Sequence, residues 1–188
     1  LMRNDNGIFT DVSEEAGIYG SLIGFGLGIT IGDVNNDMLL DIYVSNDFYE
    51  RDYLYINNGD GTFTDVSTIA GIGSLSHLSF CSAFFDFNND GWQDIYISND
   101  KSYKENLLYK NNGDGTFTEV GASSGANVAI DAMTVTIGDY NNDGWFDIYV
   151  TNGPDGNVLF RNNGDETFTD VAQSSGTIFN SVGWGSIF

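Results

Sequence analysis

One segment occurs three times in this chain at a fixed interval. Asp33-Val34-Asn35-Asn36-Asp37-Met38-Leu39-Leu40-Asp41-Ile42-Tyr43-Val44 returns from Asp86 and again from Asp139, 53 residues further on each time. A second block, Asn57-Asn58-Gly59-Asp60-Gly61-Thr62-Phe63-Thr64-Asp65-Val66, returns from Asn111 and Asn162, and a degenerate copy spans Arg3 to Val12. A period of this size makes each unit one supersecondary element that buries its faces against its neighbours.

Within a unit the apolar residues alternate. In residues 24–32, Gly24, Gly26, Gly28 and Thr30 alternate with Phe25, Leu27, Ile29 and Ile31, the period of a strand. Residues 41–45, 53–56 and 62–66 read as three more strands, and the Asn/Gly/Asp cluster joining the last two is hairpin chemistry. No stretch sustains a helical period, so the chain reads as all-β. Four strands per unit is the size of a β-propeller blade. The small faces of the first strands (Gly26, Gly28, Thr30; Ser79, Cys81, Ala83; Ala132, Thr134, Thr136) suit the crowded position beside a central channel.

The alignment divides the chain into a partial blade (1–20), three complete blades (21–73, 74–126, 127–178) and the start of another (179–188). Leu1 aligns with Tyr55, inside a third strand, and residues 185–188 align with 28–31. The expectation is a segment of a larger propeller; the alternatives are a small ring closed by its own termini, or closure by an oligomer mate.

Charge narrows the function. Against 27 Asp and Glu stand 6 Lys and Arg, a formal charge of −21. Such a surface repels nucleic acid and anionic lipid. No apolar run reaches the ~20 residues of a membrane helix, and no signal-peptide pattern opens the chain. One cysteine, Cys81, excludes a disulfide framework or a Cys-built zinc site. With 41% hydrophobic residues the chain is nonetheless built to fold, so its acidity needs a counterweight.

The repeated loop supplies one. In Asp-x-Asn-x-Asp-(Gly)-x-x-Asp, alternate residues of a tight loop can turn oxygen atoms inward, the hard-donor set that calcium takes. Positions 1, 3, 5 and 9 offer side chains and position 7 a main-chain carbonyl. The candidate ligands are therefore Asp33, Asn35, Asp37 and Asp41 with the carbonyl of Leu39; Asp86, Asn88, Asp90 and Asp94 with that of Trp92; and Asp139, Asn141, Asp143 and Asp147 with that of Trp145. About one calcium per complete blade is expected. An EF-hand is excluded, because position 12 is Val44, Ile97 or Val150 rather than Glu and the flanks are strands. Magnesium fits less well, since it keeps several waters in a strict octahedron. The competing reading is a metal-free Asx-rich turn. Met38 marks the first loop as the weakest, because Gly occupies its place in the other two.

These loops and hairpins resemble the FG-GAP/VCBS repeat family, the calcium-loop β-propellers related to the integrin α-subunit head. The resemblance covers essentially the whole chain, and residues 55–71 come close to a hairpin formula frequent in bacterial members. It implies a seven- or eight-bladed ring, calcium between the first and second strands, and an extracellular, cell-surface or periplasmic setting. Met38 departs from the family pattern. So does Glu166, which stands where Gly61 and Gly115 occur.

Asp loops and hairpins should share one face of the propeller. The opposite face carries the variable second-to-third strand loops, where Tyr49, Arg51, Lys101, Tyr103 and Lys104 are the candidate partner contacts. Solvated decoration is the plainer reading of them. Asn46, Asn99 and Asn152 read as turn formers, His77 as a polar strand-edge residue, Cys81 as packing, and Trp92 and Trp145 as inter-blade packing. No catalytic constellation stands out. The expected function is calcium-dependent binding or adhesion to a protein or glycan. The alternatives are part of a secreted polysaccharide lyase or hydrolase, and a passive spacer.

Overall fold

The computed structural model describes residues 1–73, 76 and 78–187, so His77 lies outside the described residues. The chain is all-β. A two-stranded sheet, β1 (Met2–Asp5) and β2 (Ile8–Asp11), precedes three four-stranded antiparallel sheets. The first of these holds β3 (Gly26–Gly32), β4 (Asp41–Asn46), β5 (Tyr53–Asn57) and β6 (Phe63–Asp65). The second holds β7 (Ser79–Phe85), β8 (Asp94–Asn99), β9 (Leu107–Asn111) and β10 (Phe117–Glu119). The third holds β11 (Thr134–Gly138), β12 (Asp147–Thr151), β13 (Val158–Asn162) and β14 (Phe168–Asp170). In each the strands lie in chain order, the meander of a propeller blade.

The opening hairpin differs from the other copies in one respect. Asp5 pairs with Ile8 around a two-residue Asn6-Gly7 turn, both residues at positive φ (56° and 93°). That is the preferred tight hairpin chemistry, and it shifts the register by one residue from the longer NGDG loops, where Asn57 pairs with Phe63. Sequence reading also passed over two short helical turns, α1 (Gly121–Ser124) and α2 (Ala172–Ser175), each ended by a left-handed glycine, Gly125 and Gly176.

The apolar cores lie between sheets. Val34, Tyr43, Leu54, Ile72, Ile95, Ile97, Tyr109 and Phe117 form one core between the first and second blades. Phe85, Phe87, Tyr96, Leu108, Ile148, Val150, Phe160 and Phe168 form the next, between the second and third. Main-chain bonds stitch successive units together: the N–H of Phe63 in the first blade donates to the Ala16 carbonyl of the opening segment, and that of Phe117 in the second blade to the Ala70 carbonyl of the first, both at 2.8 Å. At the innermost strands the backbones nearly touch. A Cβ placed on Gly28 would come within 2.9 Å of the Phe80 carbonyl oxygen and 3.1 Å of Cys81 Cα, which is why that face is built of small residues. Cys81 itself packs against the second core. Thr30 Oγ1 donates to the Ser82 carbonyl at 2.6 Å, and Thr136 Oγ1 makes the aligned contact with Ser186 at 2.9 Å, although residues 179–187 form no strand.

Candidate metal centre

Each Asp loop folds around its own first carboxylate. In the first, the N–H groups of Asp37 and Met38 donate to Asp33 Oδ1 and Oδ2 (3.1 and 2.8 Å), and the Leu39 N–H donates to Asp37 Oδ1 (2.8 Å). Asp90 and Gly91 repeat this on Asp86, and Trp92 on Asp90; Asp143 and Gly144 repeat it on Asp139, and Trp145 on Asp143. The amides of Asn35, Asn88 and Asn141 each accept the N–H of the Asp two residues on and donate Nδ2 to its Oδ2. Wrapping so tightly needs left-handed backbone at positions 4 and 6. Asn36, Asn89 and Asn142 have φ of 57°, 56° and 57°, and Met38, Gly91 and Gly144 have 68°, 89° and 88°. No heavy atom lies within 4 Å of where a Cβ on Gly91 or Gly144 would sit, so conformation rather than space selects glycine there.

The last aspartate does a different job. Asp41, Asp94 and Asp147 are fully buried, and each spans two segments of its blade. Their Oδ2 atoms accept the N–H of Val34, Phe87 and Tyr140 inside the loop. Their Oδ1 atoms accept that of Asn57, Asn111 and Asn162 at the end of the third strand. Burial pushes all three carboxyls up, the main-chain donors pull them back, and the two nearby loop aspartates push them up again. For Asp94 the result is about 7.

Leu39, Trp92 and Trp145 lie over Gly59, Gly113 and Gly164 of the hairpin in their own blade, which brings Asp loop and hairpin onto one face. The half-buried Trp92 and Trp145 therefore cover their own hairpins, a contact within the blade that the expectation of inter-blade packing did not include. A Cβ on Gly113 would come within 2.9 Å of the Trp92 indole and one on Gly164 within 3.1 Å of the Trp145 indole, so the close approach needs glycine there.

The loop donors are all hard oxygen atoms, and the first two carboxylates of each loop lie near enough to raise the pKa of the buried last one. That chemistry fits a hard divalent cation. Within the described residues, no three His, Cys, Asp or Glu side chains already converge as a ready-made cage, because the carboxylates are turned to main-chain N–H groups. In the fitted arrangement Asp33, Asn35, Asp37, Asp41 and the Leu39 carbonyl would hold the ion in the first loop, with the corresponding residues in the other two.

The structure joins residues that sequence reading treated as simple turn chemistry. Asn111 Nδ2 donates across the seam to the Val34 carbonyl (2.8 Å) and Asn162 Nδ2 to that of Phe87 (2.8 Å), so the first Asn of the second and third hairpins braces the Asp loop of the preceding blade, while Asn57 Nδ2 donates to the Leu40 carbonyl of its own blade (3.1 Å). Its recurrence in every copy was the available signal. On the opposite face, the side-chain amides of Asn46, Asn99 and Asn152 close their turns on the carbonyls of Arg51, Glu105 and Gly156. Tyr49 and Tyr103 are 81% and 73% exposed. Arg51 pairs with Asp65 at 2.7 Å and lies 4.6 Å over the Tyr53 ring, Lys101 is paired with Asp100, and the Lys104 N–H closes a turn on the Lys101 carbonyl.

Comparison with known proteins agrees with this architecture. The FG-GAP-like repeat family matches residues 33–97, 86–150 and 139–188. Cartilage acidic protein 1 of Homo sapiens is 30% identical over 156 residues, covering 80% of this chain and 23% of that protein. Its counterpart in Xenopus tropicalis is 30% identical over 141 residues, covering 72% and 22%. The chain thus spans about a quarter of the length of these relatives. Three overlapping matches in register with three Asp loops and three sheets leave one assignment: the chain belongs to the FG-GAP-like repeat family.

Proposed function

We propose that the chain is a calcium-stabilised extracellular module that presents a binding face to a protein or glycan. The observation that carries this is the threefold repetition of one loop: the same carboxylates and amide, in the same backbone conformation, closed by the same buried aspartate. When bound, calcium would supply charge neutralisation at each loop. The chain's own residues do the rest. Asp41, Asp94 and Asp147 tie each loop to the third strand of its blade, and Asn111 and Asn162 tie it to the next blade, so an ordered loop stiffens both sheets. The name of the relatives, cartilage acidic protein, supports an extracellular setting. No helix among the described residues is long and apolar enough to cross a membrane. Tyr49 and Tyr103, with Phe48 beside Tyr49 and Phe25 against Phe48, are the exposed aromatic contacts of the proposed binding face.

The test is thermal unfolding with calcium and with excess chelator. Each filled loop adds about 2.7 kcal/mol when free calcium is 100 times the dissociation constant, so chelation should lower the melting temperature by many degrees. Identical curves in the two conditions would overturn the calcium reading. Glycan- and protein-array binding of Tyr49→Ala and Tyr103→Ala, with and without calcium, tests the binding face.

A further inference from the structure

Glu166 belongs to the outer hairpin of the third blade, yet its carboxylate reaches the Asp loop of the second. Its Oε1 accepts from Asn88 Nδ2 at 3.2 Å and pairs with Lys110 Nζ at 2.5 Å. Asn88 is the amide proposed to ligate in the second loop. Its Nδ2 is thus held from two sides, by Asp90 Oδ2 at 2.9 Å and by Glu166. An amide whose nitrogen is fixed in this way has its oxygen fixed too. Glu166 also senses the negative charge of Asp90, so it adds to the field of the loop. It holds this place at a backbone cost, with φ of 65° where Gly61 and Gly115 have 90° and 87°. The first loop offers an internal control. The hairpin of the blade next to it carries Gly115, Ile56 replaces Lys110, and among the described residues Asn35 Nδ2 donates to Asp37 alone.

Resting on the calcium reading above, we propose that Glu166 is a positioning residue for the second metal loop: it locks the Asn88 amide and makes calcium affinity there depend on the docking of the third blade. Outer partners that orient a metal ligand are commonly worth about 10-fold or more in affinity. A strained residue kept where glycine would be easier is accounted for by that role.

The experiment uses the full 188-residue chain, with terbium luminescence sensitised by Trp92 in a background where Trp145→Phe and Trp184→Phe remove the other two tryptophans, and calcium competition to read the second loop. Glu166→Gly should raise the denaturation midpoint of the calcium-free chain by relieving the positive φ, while weakening the second loop about 10-fold. Glu166→Gln keeps an acceptor for Asn88 and should lose less. A Glu166→Gly chain with unchanged affinity at that loop, or with equal weakening at every loop by calorimetry, would overturn the inference and leave the calcium reading standing. Absence of terbium and calcium binding in the unsubstituted chain would overturn both.

Discussion

Asn36 Nδ2 donates to the main-chain carbonyl of Gly91 at 3.1 Å, and 53 residues later Asn89 makes the same bond to Gly144 at 3.3 Å. The fourth residue of the first and second Asp loops therefore grips the sixth residue of the loop in the next blade. The three loops form a hydrogen-bonded chain along one face.

On the calcium reading proposed above, that chain predicts coupled metal binding. Ordering one loop fixes its Asn and so restrains the backbone of the next, which lowers the ordering cost of the second ion. Asn36→Gly and Asn89→Gly keep the left-handed backbone and delete the amide. The double substitution should leave the total number of calcium ions bound unchanged and reduce the Hill coefficient towards one in a calorimetric titration. Unaltered cooperativity would show that the loops fill independently of this contact.

Met38 is 92% exposed at a φ of 68° and gains little packing in return for its strained backbone. Met38→Gly should stabilise the chain by about 1 kcal/mol, because a left-handed non-glycine residue costs roughly that much. The increase is expected in the urea midpoint both with and without calcium. A drop would mean that the Met38 side chain makes a contact worth more than its strain.

Asp52 is buried and accepts from the Asn46 N–H, the Tyr43 hydroxyl and the Ser79 hydroxyl of the next blade. Burial raises its pKa, and the three donors only partly offset this. A raised acid is most compatible with folding below about pH 3.9, the ordinary aspartate value, and its contribution is lost as pH climbs through the folded-state pKa. The second and third blades avoid that loss by using Asn106 and Asn157, whose amides donate to Tyr96 and Tyr149. Asp52→Asn should therefore gain stability relative to the unsubstituted chain as pH rises above 3.9, read from urea midpoints across a pH series. A difference that stays flat with pH would place the carboxyl at its ordinary pKa.

Much of this fold was legible because the repeat is rigid in sequence. The 53-residue interval places Asp33, Asp86 and Asp139 at the same turn, and the alternation of Gly26, Gly28 and Thr30 with apolar residues marks the innermost strand. The Asp loops could be read for the same reason. Asp52 could not, since it lies six residues after Asn46 while Asn106 lies seven after Asn99 and Asn157 five after Asn152. Variable loop length hides an equivalence that is plain once the hydrogen bonds to Tyr43, Tyr96 and Tyr149 are seen. The contact of Trp92 with its own hairpin was hidden for a related reason. A large apolar residue after a loop promises burial, but only the fold says that Gly113 of the same blade lies beneath it.

The seams carry one last consequence. Each apolar core is held jointly, as when Tyr43 of one sheet packs with Ile95 and Ile97 of the next. A duplication or deletion of one whole 53-residue unit adds or removes one sheet together with one core, and every remaining interface is still made. Any other length would strand an oily face without its mate. Evolution along this architecture is therefore quantised: such chains can change size in whole steps while their interior stays as well packed as before.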